Sequence, residues 1–501
     1  MNESITVTVN GTRLSASVGT VLSELINGEK PCGGHGRCGK CKVIAKGTLS
    51  PLTEAEQTLL SKEELKKDVR LACLTYALGD CEVESIASAK NERIVTDGAL
   101  PALEIKTSFE KYGIAVDIGT TTLAARLYGA SGNMLADASC LNPQQVWGAD
   151  VISRIEAALG GNAERLATAI REALNDMISE LARRAKINTN EIDGVVITGN
   201  TVMLSLLVGE SVEPFSHAPF DAKRLFGETL TARELDLLHL LPDTSIYLPP
   251  CISAFVGADT TCAILATELC KRDSAMLADI GTNGELALWH NGILTVCSTA
   301  AGPAFEGVGI SMGMRGSDGA IDKVSIESGC LRAHVIGEGS PVGICGSGLV
   351  DAVACMLDLE VLDESGYLED ETFTVQAPVS LTPKDIRMLQ LAKSAICAGI
   401  LTLTETENVN ASSISTLSIA GGFGSYLNQE NAIRIGLIPT AFSGKLRAVG
   451  NAALTGAAML LLNRDVREKA AALAREAHTL DLSSNPIFSE RYMSGMMLEE
   501  V

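Results

Sequence analysis

Two stretches decide how this 501-residue chain is read: Tyr112-Gly-Ile-Ala-Val-Asp117-Ile-Gly119-Thr120-Thr121-Thr122 and Ala275-Met-Leu-Ala-Asp279-Ile-Gly281-Thr282-Asn283-Gly284-Glu285. Each is an apolar strand that runs into an acidic residue and a small, polar turn, and each is followed by a second apolar strand. One Asp-Ile-Gly-Thr carries little weight, but two copies embedded in strands 162 positions apart imply two related halves. Such a turn offers backbone N–H groups and hydroxyls to phosphate oxygens, and its glycine lets them come close. Gly119, Thr120, Thr121 and Thr122, and in the second copy Gly281, Thr282, Asn283 and Gly284, are therefore candidate nucleotide-binding residues. Asp117 and Asp279, at the strand ends, are placed to hold Mg²⁺ directly or through water. Neither turn fits G-x-x-x-x-G-K-[ST] or G-x-G-x-x-G, which disfavours the folds those motifs mark.

A third turn follows the strand-like Thr416-Leu-Ser-Ile and reads Ala420-Gly421-Gly422-Phe423-Gly424. Two phosphate turns followed by a strand and Gly-Gly-x-Gly resemble the actin, Hsp70 and sugar-kinase superfamily, with its duplicated RNase H-like fold. The resemblance implies that Gly421, Gly422, Phe423 and Gly424 contact the adenosine of ATP. It also implies that the small-residue runs 254–263 and 450–456 are the paired interdomain helices, with a hinge near the second. Asp259 would then lie near the terminal phosphate, where a carboxylate can orient water; the alternative is an Asp that caps its own helix. Gly346 and Ser347 open a helical segment whose N-terminus favours anions, although tight packing accounts for these small residues equally well. Gly199-Asn200-Thr201 follows a strand and reads either as a plain strand-end turn or as facing the phosphates.

Towards the N-terminus, residues 5–9 and 12–18 alternate apolar and polar around an Asn10-Gly11 turn, and 20–26 is helix-like. The loop Pro31-Cys32-Gly-Gly-His-Gly-Arg-Cys38-Gly-Lys-Cys41 follows, and then Arg70-Leu-Ala-Cys73. C-x5-C-x2-C with a distant fourth cysteine is close to the spacing of plant-type [2Fe–2S] loops. The thiolates of Cys32, Cys38, Cys41 and Cys73 would ligate the irons, and the interspersed glycines would let the backbone approach the sulfides. A structural zinc site is the rival, but it usually presents two C-x2–4-C pairs. Cys81 is the alternative fourth ligand, less well placed than Cys73, and His35 is surplus to four cysteines. The other cysteines lack paired spacing and read as core residues.

The fold class expected is α/β multidomain. A β-grasp ferredoxin domain spans residues 1–84, a linker 85–110, and the two ATPase halves 111–274 and 275–501. The chain carries a formal charge of −21, but its first 81 residues hold 10 Lys/Arg against 9 Asp/Glu, so the acidity belongs to the remainder. That charge argues against nucleic acid or an anionic membrane surface as partner. No basic n-region precedes an apolar stretch at the N-terminus and no run of about 18 apolar residues occurs, so a cytoplasmic location is expected.

Taken together, the cysteine loop, Val116-Asp-Ile-Gly-Thr-Thr-Thr, Leu141-Asn-Pro-Gln, Asp279-Ile-Gly-Thr-Asn-Gly-Glu, Ser298-Thr-Ala-Ala-Gly-Pro-Ala-Phe-Glu-Gly and Ala420-Gly-Gly-Phe-Gly resemble the reductive activators of corrinoid proteins. The resemblance implies ATP-dependent reduction of a protein-bound Co(II) corrinoid to Co(I). It implies a [2Fe–2S] cluster, ATP and Mg²⁺ as cofactors, a corrinoid protein and a low-potential electron donor as partners, and a homodimer. The connector is too short for the additional segment some activators carry, and no cysteine follows Cys397 to hold the C-terminal [4Fe–4S] clusters of others. Two other readings use the same motifs: an electron-injecting activator of a radical dehydratase, and a small-molecule kinase with a fused redox domain.

Overall fold

The computed structural model describes residues 4–26, 36, 39, 41–85 and 98–501. The chain divides into two compact units, residues 1–90 with 143–169, and residues 91–142 with 170–501.

In the first unit, β1 (Ser4–Val9) and β2 (Thr12–Ser17) form a hairpin whose turn residues, Asn10 and Gly11, both have positive φ, as a two-residue connection of this hand demands. β3 (Thr20–Val21), β4 (Lys42–Leu49), β5 (Val69–Leu71) and β6 (Tyr76–Ser85) complete the sheet in the order β2-β1-β6-β4-β5, with β3 also on β6. β1 runs parallel to β6, and the other pairs are antiparallel. The helix expected over 20–26 is shorter, Leu22–Leu25, because Thr20 and Val21 are drawn into pairing with Ala77 and Tyr76. Val7, Leu22, Val43, Leu71 and Val83 form the core beneath the sheet.

The second unit holds two six-stranded sheets that share the wiring of five strands and differ in where the sixth is added. In one, β7 (Tyr112–Ile118), β8 (Thr122–Gly129) and β9 (Met134–Leu141) make an antiparallel meander. β10 (Ile192–Gly199) returns parallel to β7; β11 (Glu228–Thr231) and β12 (Ser245–Leu248) extend the far edge, giving β11-β12-β10-β7-β8-β9. In the other, β13 (Ser274–Ile280), β14 (Gly284–His290) and β15 (Ile293–Thr299) repeat the meander. β16 (Ala320–Glu327), β17 (Cys330–Val335) and β18 (Gly343–Ile344) then form a small separate sheet, and β19 (Phe373–Gln376) with β20 (Val379–Leu381) a ribbon. β21 (Leu417–Ala420) lies parallel to β13 and β22 (Leu446–Gly450) parallel to β21, while β23 (His478–Thr479) joins β15. Both Asp-Ile-Gly-Thr stretches thus occupy the same hairpin, β7–β8 and β13–β14. β7 and β13 are apolar along nearly their whole length because layers cover both of their faces.

The two small-residue runs become the helices Ala258–Ala266 and Ala452–Leu462. A Cβ at Gly456 would stand 2.0 Å from the carbonyl oxygen of Cys262, so only glycine lets these backbones cross so closely. Ala457, Leu460 and Leu461 of the later helix also join Ala115, Ala124 and Val196 of the first sheet in one apolar cluster. Residues 98–110 follow the end of that helix, with Lys106 N donating to Leu462 O (2.8 Å) and Ser108 N to Leu461 O (3.2 Å). Among the described residues one helix, Pro383–Thr406, is long and apolar enough to cross a membrane, and most of it is packed inside this unit.

Candidate functional site

A cavity of about 290 Å³ opens in the second unit, and most of the expected nucleotide-binding residues line it. From the first hairpin come Asp117, Gly119, Thr120, Thr121 and Thr122. Asp279, Gly281, Thr282 and Asn283 come from the second, and Gly421, Gly422 and Phe423 from the turn after β21. Gly346 and Ser347, at the start of the helix Gly346–Asp358, and Asn200, at the cap of the helix Thr201–Val208, also reach it. Gly284 and Gly424 are not in its lining. An added Cβ at Gly284 would run into Ile396, and one at Gly424 into Ile419.

Local hydrogen bonds fix the first turn. Gly119 N donates to Thr122 O (2.9 Å), the Asn142 amide donates to Gly119 O (2.8 Å), and Asn142 N donates to Thr121 O (2.9 Å). The Asn200 amide reaches Thr120 Oγ1 (3.3 Å), while its oxygen accepts from Met203 N and caps the helix. The second turn closes through Gly281 N to Asn283 O (3.0 Å). Gly421 has φ +90°, which carries the turn after β21 past Asp279, and Phe423 stacks on Phe305 with ring centroids 4.5 Å apart.

The floor of the cavity is acidic. Burial pushes Asp117 and Asp279 up to about 7, and Asp259 up to about 6. After burial, the nearby carboxylates raise Asp117 further, and Asp259 does the same to Asp279. Glu285 is raised well above the ordinary carboxylate range by burial and then by Asp259 and Asp279. The relief for Asp117 is one hydrogen bond from the Asn451 amide (2.9 Å). Asp259 lies in the first turn of its helix and accepts from Thr260 N (2.7 Å), so it bonds its own backbone and lines the cavity at once. Mutually repelling, desolvated carboxylates beside polar turns form a donor set suited to a hard divalent cation, which takes oxygen ligands.

Several residues that the sequence did not single out belong here. Glu306 accepts hydrogen bonds from Thr282 Oγ1 (2.8 Å) and, at closer range, from Thr121 Oγ1. Among the described lining residues Arg315 is the one cation, and Tyr426 adds an aromatic ring beyond Phe423. The partners of Glu306 lie 24 and 185 positions away in sequence. In the sequence only the Phe-Glu-Gly end of the segment 298–307 points towards Glu306.

In the first unit the structure brings together two of the four proposed cluster ligands. Cys41 and Cys73 are buried with their sulfurs 3.2 Å apart; Cys32 and Cys38 lie outside the described residues. Cys81 is also buried, on β6, and burial raises its thiol pKa, which makes it a poorer thiolate. The segment bearing Cys73 is held from below by Glu56. Its carboxylate accepts from Arg70 Nε (2.8 Å), Arg70 Nη2 (3.1 Å), Leu71 N (3.1 Å) and Thr75 Oγ1 (3.2 Å), and so brackets the cysteine. Ala72 N donates to Cys41 O (2.8 Å), which ties the two cysteine segments directly. Thiols gathered on a fixed backbone suit a cluster whose irons take soft anionic ligands.

Comparison with known proteins agrees with this division of labour. Residues 6–78 match the 2Fe-2S iron-sulfur cluster binding domain, 112–272 the RACo middle region, and 273–501 the C-terminal domain of RACo, the ASKHA domain. The chain is 35% identical over 418 residues to the corrinoid activation enzyme RamQ of Eubacterium limosum, covering 77% of this chain and 70% of that protein. It is 25% identical over 432 residues to the [Co(II) methylated amine-specific corrinoid protein] reductase of Methanosarcina barkeri, covering 77% and 78%. A solved reductive activator for corrinoid, iron-sulfur protein superposes with a TM-score of 0.72 at 27% identity, over 99% of this chain and 98% of that one. Fold and matches together define an iron–sulfur domain followed by an actin-, Hsp70- and sugar-kinase-like domain. Within that class, the chain belongs to the family of reductive activators of corrinoid proteins.

Proposed function

We propose that this protein spends ATP to drive an electron from a [2Fe–2S] cluster onto a protein-bound corrinoid, taking Co(II) to Co(I). The observation that carries the reading is the single cleft in which both Asp-Ile-Gly-Thr turns meet a group of half-buried carboxylates, on a chain that also brings Cys41 and Cys73 together. In this reading Cys32, Cys38, Cys41 and Cys73 hold the cluster, which supplies a one-electron carrier when bound. Thr120, Thr121, Thr122, Thr282 and Asn283, with the turn amides, hold phosphate oxygens. Asp117 and Asp279 hold Mg²⁺, whose charge offsets their mutual repulsion. Gly421, Gly422 and Phe423 line the adenosine end, and Gly346 and Ser347 present a helix N-terminus to the phosphates. Asp259 orients the attacking water. The names of the relatives supply the corrinoid substrate. The low-potential electron donor follows from Co(I) being a strong reductant.

Coupling requires that nucleotide favour one of two arrangements of the protein with its partner. The test is to mix the purified protein with a corrinoid protein and a low-potential reductant, with and without Mg-ATP, and follow the Co(I) absorbance. Co(I) should accumulate only with ATP. Equal accumulation without nucleotide would sink the coupling.

A further inference from the structure

Glu306 closes the short turn Pro303–Glu306, which is followed by Gly307 with φ 77°. Its two carboxylate oxygens are divided between the repeated hairpins: Oε1 accepts the Thr282 hydroxyl (2.8 Å) and Oε2 the Thr121 hydroxyl. Thr121 belongs to the β7–β8 turn and Thr282 to the β13–β14 turn, so one side chain ties together the equivalent turns of the two halves. Each hydroxyl has a single proton, and while that proton points at Glu306 it cannot be donated to a phosphate. A carboxylate at this junction also repels any anion brought to the same two donors.

We propose that Glu306 is a positioning residue that holds the two turns together through their hydroxyls and gives those hydroxyls up to the terminal phosphate of a nucleoside triphosphate. This role rests on the nucleotide reading of the cleft. A phosphate that reaches both turns must lie where they converge, and that is where Glu306 now accepts. Exchange then replaces two hydrogen bonds to carboxylate by two to phosphate, so hydrogen bonding is nearly conserved while the anion changes. A nucleoside diphosphate, lacking the terminal group, leaves the Thr121–Glu306–Thr282 bridge in place. The bridge thereby distinguishes the two nucleotides at a point that both halves of the fold share.

The test is calorimetric binding of Mg-ATP and Mg-ADP to the full chain and to Glu306→Gln, with Glu306→Ala as the second variant and hydrolysis rates measured alongside. Removing the competing charge should tighten Mg-ATP binding about tenfold and change Mg-ADP binding less than about twofold. Both KM and kcat for hydrolysis should fall, because substrate is held better while the turns are no longer set by the carboxylate. Thr282→Val, which removes a donor from both anions, should instead weaken Mg-ATP binding. Unchanged or weaker Mg-ATP binding in both Glu306 variants, or an equal gain for the two nucleotides, overturns the proposal. Wild-type protein that binds neither nucleotide would refute the reading of the cleft itself.

Discussion

Both units draw carboxylates away from bulk water, Glu56 fully and those of the cleft in part, with opposite results. In the cysteine-bearing unit, Glu56 is fully buried yet held down at about 2, because Arg70 and backbone N–H groups outweigh the cost of its desolvation. In the cleft, Asp117 and Asp279 are pushed up to about 7, because burial and like charges face only sparse relief. A satisfied buried charge is part of the architecture. An unsatisfied cluster needs something from outside the chain, and the difference is legible in the hydrogen-bond partners.

The largest effect that sharpens this contrast is loss of ATP hydrolysis. Asp279→Ala or Asp117→Ala should lower the hydrolytic rate by about a hundredfold or more, while the thermal midpoint of the nucleotide-free protein holds or rises, since one repelling charge is gone. A large drop in stability with hydrolysis preserved would make these residues like Glu56 and break the comparison. Glu56→Gln should behave in the opposite sense: it leaves Arg70 buried without its counter-charge and destabilises the cluster unit by about 3 kcal/mol. Chemical denaturation, followed through the cluster's visible absorbance, measures this with hydrolysis unaffected.

The pH dependence should also run in opposite directions. Glu56 lies below its ordinary value of 4.5, so its contribution to stability is present above that pH and is lost as pH falls through about 2. Asp117 and Asp279 lie above their ordinary value of 3.8, so their contribution is complete below it and is lost as pH rises through about 7. Calorimetric scans between pH 5 and pH 8 should therefore show the transition of the nucleotide unit falling with pH and that of the cluster unit staying level, with Mg-ATP flattening the slope. The smallest effect concerns Asn451→Ala. Without its hydrogen bond, Asp117 should titrate higher still, moving the acidic limb of the hydrolysis pH profile upward at a cost of about threefold to tenfold in rate near neutrality.

What could be read from the sequence was what local chemistry specifies. Asp-Ile-Gly-Thr announces a strand end and a tight turn, and its repetition announces the duplicated sheet. Cys41 declares itself as a thiol of the glycine-rich loop and Cys73 as the distant fourth cysteine of that spacing, and the structure brings the two together. Glu56 was illegible as a support of Cys73. Thr53-x-x-Glu56 signals a capping box, which it also forms, but nothing local says that Arg70 and Thr75 return to the same carboxylate. Glu306 and Asn451 were hidden for the same reason: each acts across a contact between segments far apart in sequence. The pattern of residues 20–26 predicts a helix from Thr20, but pairing of Thr20 and Val21 with β6 overrides that preference and the helix begins at Leu22.

The helix Ala452–Leu462 has a consequence for how the chain can be taken apart. It follows β22 of the second sheet in sequence but packs Ala457, Leu460 and Leu461 against Ala115, Ala124 and Val196 of the first. The repeat is therefore a unit of ancestry and not a unit of folding. A fragment cut at the repeat boundary, residues 111–274, would expose the face that this helix covers, whereas its co-expression with residues 275–501 would return the missing piece.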